Sequence, residues 1–279
     1  MSHPVTSTPL ERVPEALPHA RRVSLRRLGR KLLTRDFLLG VCSFLILLGL
    51  WGLVVSLPTL RKIPGPVSMF QALLTLDPGL YVRAATRSFL RVLAGYLIAA
   101  GVGIPLGIGI GYWKVFRDLT FPAIELLRPI PPIAWIPLSI LFFVNIESQI
   151  VFLTFYGAFF PIVYNTIGGV SGVDRNHVRA ARSLGANDRQ VFRYIILPGS
   201  LPSIFTGLTI AMGITWLMVI AAEIMATRGG LGYLTWEAYV TLNYPLIFVG
   251  MGAIGIVGSL SSLMVRLVGN RVMRWRTRT

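Results

Sequence analysis

Six stretches of this chain, each about twenty residues long, are almost free of charge, and that feature leaves few folds open. The hydrocarbon core of a bilayer is ~30 Å thick, a distance that an α-helix crosses in about 20 residues. The stretches fall at about 37–57, 88–112, 119–144, 150–169, 201–226 and 245–268. Composition agrees: 54% of the 279 residues are hydrophobic and 14% are charged, whereas a soluble domain carries about 25% charged residues. The fold class expected is an all-α membrane protein with about six transmembrane helices.

Charge sets the orientation. The net charge of +16 is not a nucleic-acid footprint, because the basic residues sit in tails and short loops and do not line one face of a domain. With a cytoplasmic N-terminus, the inner segments hold Arg12, Arg21, Arg22, Arg26, Arg27, Arg30, Lys31, Arg35, Lys114, Arg117, Arg175, Arg179, Arg182, Arg189, Arg193, Arg266, Arg271, Arg274, Arg276 and Arg278. The outer loops hold Arg61, Lys62, Arg83, Arg87 and Arg228. This is the positive-inside pattern, and an odd number of spans would break it, so both termini are expected in the cytoplasm. Residues 1–36 read as a basic tail, with 24–35 able to lie on the membrane as an amphipathic helix. Residues 37–268 read as the transmembrane domain and 269–279 as a second basic tail. Cys42 is the one cysteine, and His3, His19 and His177 are scattered, so neither a disulfide nor a metal-ligand spacing is present.

Two loops exceed the needs of a connection. The outer one, 58–87, contains Ile63-Pro64-Gly65-Pro66 and then Val67 to Leu74, a turn feeding a short interfacial helix. The inner one, 171–200, has helical spacing at Val178, Ala181 and Leu184. Gly185 then permits a sharp bend, Asn187 or Asp188 can cap a second short helix, and Pro198 is expected to close it. Two short helices fringed by arginines suit docking into a groove of another protein.

The inner loop resembles that of the ABC importer permeases, whose pattern E-A-A-x3-G-x9-I-x-L-P docks on an ATPase subunit. Ala180, Ala181, Gly185, Ile195, Leu197 and Pro198 match at the same spacing, and Leu184 lies within the motif. Arg179 stands where the family has Glu. The likeness extends over about residues 60–275. Leu127 to Leu138, Gly157 to Ile162, Ala222-Glu223-Ile224 and Gly229 to Tyr233 look like segments of the nitrate, sulfonate, taurine and bicarbonate permeases. The resemblance implies a type I importer permease fold in a bacterial inner membrane. It also implies a second permease copy, two ATPase subunits that use ATP and Mg, and an extracytoplasmic solute-binding protein. This chain is expected to bind no cofactor: a phosphate-binding loop needs Gly-Lys-Ser/Thr, and Lys31, Lys62 and Lys114 are preceded by Arg30, Arg61 and Trp113, so the loop is missing. No catalytic constellation is evident either.

Candidate pathway residues cluster in the third, fourth and fifth spans. Pro129, Pro131, Pro132 and Pro137 are expected to interrupt the third span's hydrogen bonding. Irregular backbone at membrane depth is tolerated inside protein or beside a water-filled cavity, so the segment either lines the pathway or is a packed kink. Arg128 can pair with Glu125 three residues away or attract an anion. Glu223 is a gate or hinge element, or a structural acceptor. Trp135, Tyr156 and Phe159 can contact substrate or pack, as can Phe155, Trp216 and Trp236. Arg91 is expected to snorkel to the outer interface. Gly103, Gly107 and Gly111 mark a close-packing helix face. An ion-coupled secondary transporter is the alternative, but it would call for more intramembrane acids than Glu125 and Glu223.

Overall fold

The computed structural model describes residues 39–57, except 41 and 44, and residues 64–273. The basic N-terminal tail, on which the surface helix is expected, and the last six residues lie outside them. The chain divides into two units, residues 1–57 and 58–279. In the first, the described residues form an apolar helix that includes α1 (Leu45–Val55).

The described residues of the second unit are helices joined by short turns. Its elements are α2 (Pro66–Thr75), α3 (Pro78–Tyr112), α4 (Lys114–Leu127), α5 (Trp135–Phe142), α6 (Ile146–Ser171), α7 (Arg175–Ser183), α8 (Asp188–Val191), α9 (Leu197–Ala226), α10 (Leu231–Val240) and α11 (Tyr244–Val272). The expected interfacial helix is α2, entered through Gly65 with Pro66 in its first turn. The second span is longer than its apolar run: Asp77 accepts from the Gly79 amide and Pro78 opens α3 ten residues before Ser88.

Helix α6 is the centre of the bundle, packed on α3 along one side and α9 along another. Against α3 the fit depends on glycines. A Cβ on Gly107 would meet Thr166 Cβ at 2.6 Å, and one on Gly111 would meet Val170 Cβ at 2.7 Å. Gly95 meets Thr154 and Gly103 meets Ile162 in the same sense, so α3 and α6 run parallel at backbone contact. Against α9 a Cβ on Gly157 would meet Met218 Cγ at 2.6 Å, and Gly207 and Gly169 make equally close approaches near the other end.

Because α3 and α6 are parallel, the segment between them must return the chain to the opposite end of the bundle. It does so as a broken span, α4 and residues 132–142 meeting at 74°. The last α4 hydrogen bond runs from Arg128 N to Ile124 O (3.0 Å). Pro129, Pro131 and Pro132 then offer no amide to continue it. Pro137 departs from expectation: it lies in the first turn of α5, where an amide has no intrahelical acceptor to lose. The described residues thus contain four long apolar helices and this fifth, bent crossing.

The fifth span corrects the expectation for Pro198. That residue does not close a separate short helix. Residues 188–226 form one continuous helix, with a π-helical turn at Phe192–Ile196 in which Leu197 N bonds to Phe192 O. Pro198 has no amide for Tyr194 O, and its ring would crowd that carbonyl in a regular helix. The wider π turn absorbs the misfit.

Candidate functional site

Three features can carry function: a projecting turn at one end of the bundle, a cleft at the break of the third span, and a buried ion cluster at the end opposite the turn.

The turn comprises α7, Gly185 and α8. Asp174 caps α7 by accepting from the Asn176 amide (2.8 Å). Val178 and Ala181 turn inward onto Val170, Val191 and Ile196. The helix stops just before Gly185, whose φ of +86° suits glycine. Gly185 N bonds to Arg182 O (2.9 Å) and Ala186 N to Ala181 O (3.0 Å), a closure that satisfies the last carbonyls. Asn187 and Gln190 form a reciprocal cap on α8, and Arg182 Nη2 bonds to Asp188 (2.8 Å) across the bend. Leu184 does not join Val178 and Ala181 as its spacing predicts. The helix ends there, and its side chain is 89% exposed. Arg179 and Ala180 are exposed beside it, whereas Ile195, Leu197 and Pro198 are half-buried at the root of α9.

The cleft, ≈ 640 Å³, opens where α4 breaks. Pro131, Pro132 and Ile133 form one wall, Gly157, Phe160 and Pro161 of α6 another, and the Ile214–Ile224 stretch of α9 the third. Arg128 is the one charged residue of this lining. Its guanidinium lies 4.4 Å from the Tyr164 ring centroid and 3.7 Å from Glu125, while Tyr164 Oη donates to Glu125 (2.6 Å). Of the residues expected to meet substrate, Arg128, Pro131 and Pro132 line the cleft. Tyr156 and Phe159 stand one layer behind, each in ring contact with Phe160. Trp135 packs on Tyr156 (5.0 Å), whose hydroxyl donates to Leu127 O at the end of α4 (3.0 Å). Phe155 packs on Phe159, Trp216 is buried in the core, and Trp236 pairs with Tyr239 on α10.

Glu223 lies elsewhere. It is fully buried near the end of α9, accepting from Ser88 Oγ (2.7 Å), Arg91 Nη1 (2.8 Å) and the Gly232 amide (2.9 Å). Arg91 is correspondingly not a snorkelling residue, for its side chain is 6% exposed. Its other edge grips Glu147 through Nε (2.7 Å) and Nη2, and Nη1 also donates to Gly229 O. One guanidinium therefore joins α3, the start of α6, the end of α9 and the following turn. Gly230, at φ +138°, lies so close over Glu223 that a Cβ would strike the carboxylate. Sequence reasoning missed this convergence; its signal was an arginine and two glutamates near the ends of three different apolar runs.

Residues 103–278 match the family described as binding-protein-dependent transport system inner membrane component. The taurine transport system permease protein TauC of Escherichia coli (strain K12) is 33% identical over 266 residues, 92% of this chain and 95% of that protein. The nitrate import permease protein NrtB of Leptolyngbya laminosa is 34% identical over 240 residues, 83% of this chain and 86% of that protein. Among solved structures, an inward-facing conformation of the MetNI methionine ABC transporter superposes with a TM-score of 0.54, over 71% of this chain and 96% of that one. The sequences there are 19% identical, so the likeness is one of fold.

Proposed function

The chain belongs to the binding-protein-dependent transport system inner membrane components, and from that premise we propose that it forms half of the translocation pathway for a small anion, driven by ATPase subunits seated on the Gly185 turn. It is a multi-pass permease subunit of an ABC importer; an ion-coupled secondary transporter does not fit this membership. The observation that carries the mechanical reading is continuity. The exposed turn leads through α8 and the π turn into α9 without a break, and α9 is a wall of the cleft. A displacement of the turn by a closing ATPase dimer is thereby delivered to the pathway.

In this reading a second copy of the chain completes the pathway. Two ATPase subunits hold ATP and Mg, and this chain holds no cofactor. A solute-binding protein delivers substrate to the opposite end. The substrate is a small anion of the nitrate, sulfonate, taurine or bicarbonate class. Two considerations support it: the substrates in the relatives' names, and Arg128 as the charged residue of an otherwise apolar cleft lining.

Gly185→Trp tests the docking role. A side chain in the left-handed region costs ~1–2 kcal/mol, and bulk at the tip adds a steric block. The ATPase recovered with the chain should fall about tenfold, with uptake lost and membrane insertion unchanged. Wild-type ATPase recovery with normal uptake would defeat the proposal. Orientation is tested separately: in a Cys42→Ala background, a cysteine at Asn176 should resist an impermeant thiol reagent in intact cells and react in opened ones. Labelling of intact cells would reverse the topology.

A further inference from the structure

The docking turn is cationic to a degree that its own fold does not require. Residues 171–200 carry five arginines against Asp174 and Asp188. Arg175, Arg179 and Arg182 recur at helical spacing and share one flank of α7. Asp188 neutralises Arg182, and Asp174 is occupied in capping α7. Arg175 and Arg179 are exposed and have no ionic partner among the described residues. The inward face of α7 is already filled by Val178 and Ala181, so the helix keeps no broad apolar face to lay on a bilayer. What it presents outward is a rigid tip of Ala180 and Leu184 bordered by a basic stripe.

Resting on the docking reading above, we propose that the ATPase partner receives this turn in an acidic groove, with a carboxylate facing Arg179. Charge complementarity carries the assignment: an apolar tip enters the groove while the stripe meets acid on its rim. Complementary charge at an interface governs which partner is accepted more than how tightly it binds. The pairing would make this permease selective for its own ATPase. It would reject ATPases whose groove carries a basic residue opposite that position.

The test uses the whole complex, purified through a tag on this chain and reconstituted into vesicles with its binding protein. Arg179→Lys should keep ATPase and uptake, Arg179→Gln should lose part of both, and Arg179→Glu should lose about tenfold or more, because like charges then face each other. The gap between Arg179→Glu and wild type should narrow as NaCl rises. The side chain caps nothing within the turn, so the variants should insert normally. Wild-type ATPase recovery by Arg179→Glu overturns the inference. So does a gap that disappears when phosphatidylglycerol is omitted from the vesicles, since Arg179 would then be meeting lipid phosphate. Gly185→Trp separates the two layers of argument. If it retains the ATPase, the docking reading itself fails; if it loses the ATPase while Arg179→Glu keeps it, only the acidic groove fails.

Discussion

Arg91→Leu is expected to remove the chain from the membrane fraction almost entirely. The substitution leaves Glu223 fully buried with its cationic partner gone. Breaking a buried ion pair from one side costs about 3–5 kcal/mol, a large part of the ~5–15 kcal/mol that holds a domain folded. Glu223→Gln should be milder but still damaging. The carboxylate accepts from Ser88, Arg91 and the Gly232 amide, and an amide would turn a donor toward one of those donors. Glu147→Gln should cost no more than about 1 kcal/mol, because that carboxylate is 59% exposed and water can take over its role. Joining Arg91→Leu to Glu223→Leu removes both buried charges and should recover more protein than Arg91→Leu alone. The measurement is the amount of folded, detergent-extractable chain. Equal damage from Glu147→Gln and Arg91→Leu would show that the buried half of the cluster is not what matters.

How far this fold could be read in advance differs between its parts. Span positions were legible because apolar run length is a one-dimensional signal, and α6, α9 and α11 begin and end within a few residues of their runs, apart from the α8 extension. The Gly185 bend and Asn187 cap were legible because each depends on local backbone chemistry. The continuity of α8 with α9 was not, because a proline is compatible either with a helix end or with a π turn, and packing decides between them. Leu184 was misplaced for a related reason: helical periodicity assumes a helix that continues, and this one stops at that residue.

The site was legible unevenly. Arg91, Glu147 and Glu223 are separated by 56 and 76 positions along the chain. No periodicity joins them; only the parallel packing of α3 on α6 and the return of α9 do. An arginine judged alone near a membrane interface is best explained by snorkelling, and its burial depends on partners that a single helix cannot display. Tyr164 escaped notice similarly, since its relation to Arg128 and Glu125 exists across the α4–α6 contact. The small residues on the α3 face were readable as a packing surface, but that α6 is the helix they receive was not.

Arg128→Gln is expected to lower uptake about tenfold to a hundredfold while the complex assembles and hydrolyses ATP at its basal rate, the loss of a hydrogen bond to a charged group being worth ~1.5–3 kcal/mol. The side chain is 55% exposed at the mouth of a cleft with otherwise apolar lining, so the fold does not depend on it as it depends on Arg91. Two internal partners compete for the guanidinium, the Glu125 carboxylate at 3.7 Å and the Tyr164 ring at 4.4 Å. An anion passing through the cleft must displace the first and can leave the second in place. Glu125→Gln should therefore be tolerated. Tyr164→Phe, which keeps the ring under the cation and removes only the hydroxyl that holds Glu125, should alter uptake little. The double variant Arg128→Gln with Glu125→Gln distinguishes the two roles open to the arginine. If Arg128 serves the anion, the double variant transports as poorly as Arg128→Gln alone. If its task is to neutralise Glu125, removing both charges restores uptake, and the coupling between the two substitutions is large and favourable. Wild-type uptake by Arg128→Gln over a range of substrate concentrations would exclude the anion role and leave the cleft's selectivity to its shape.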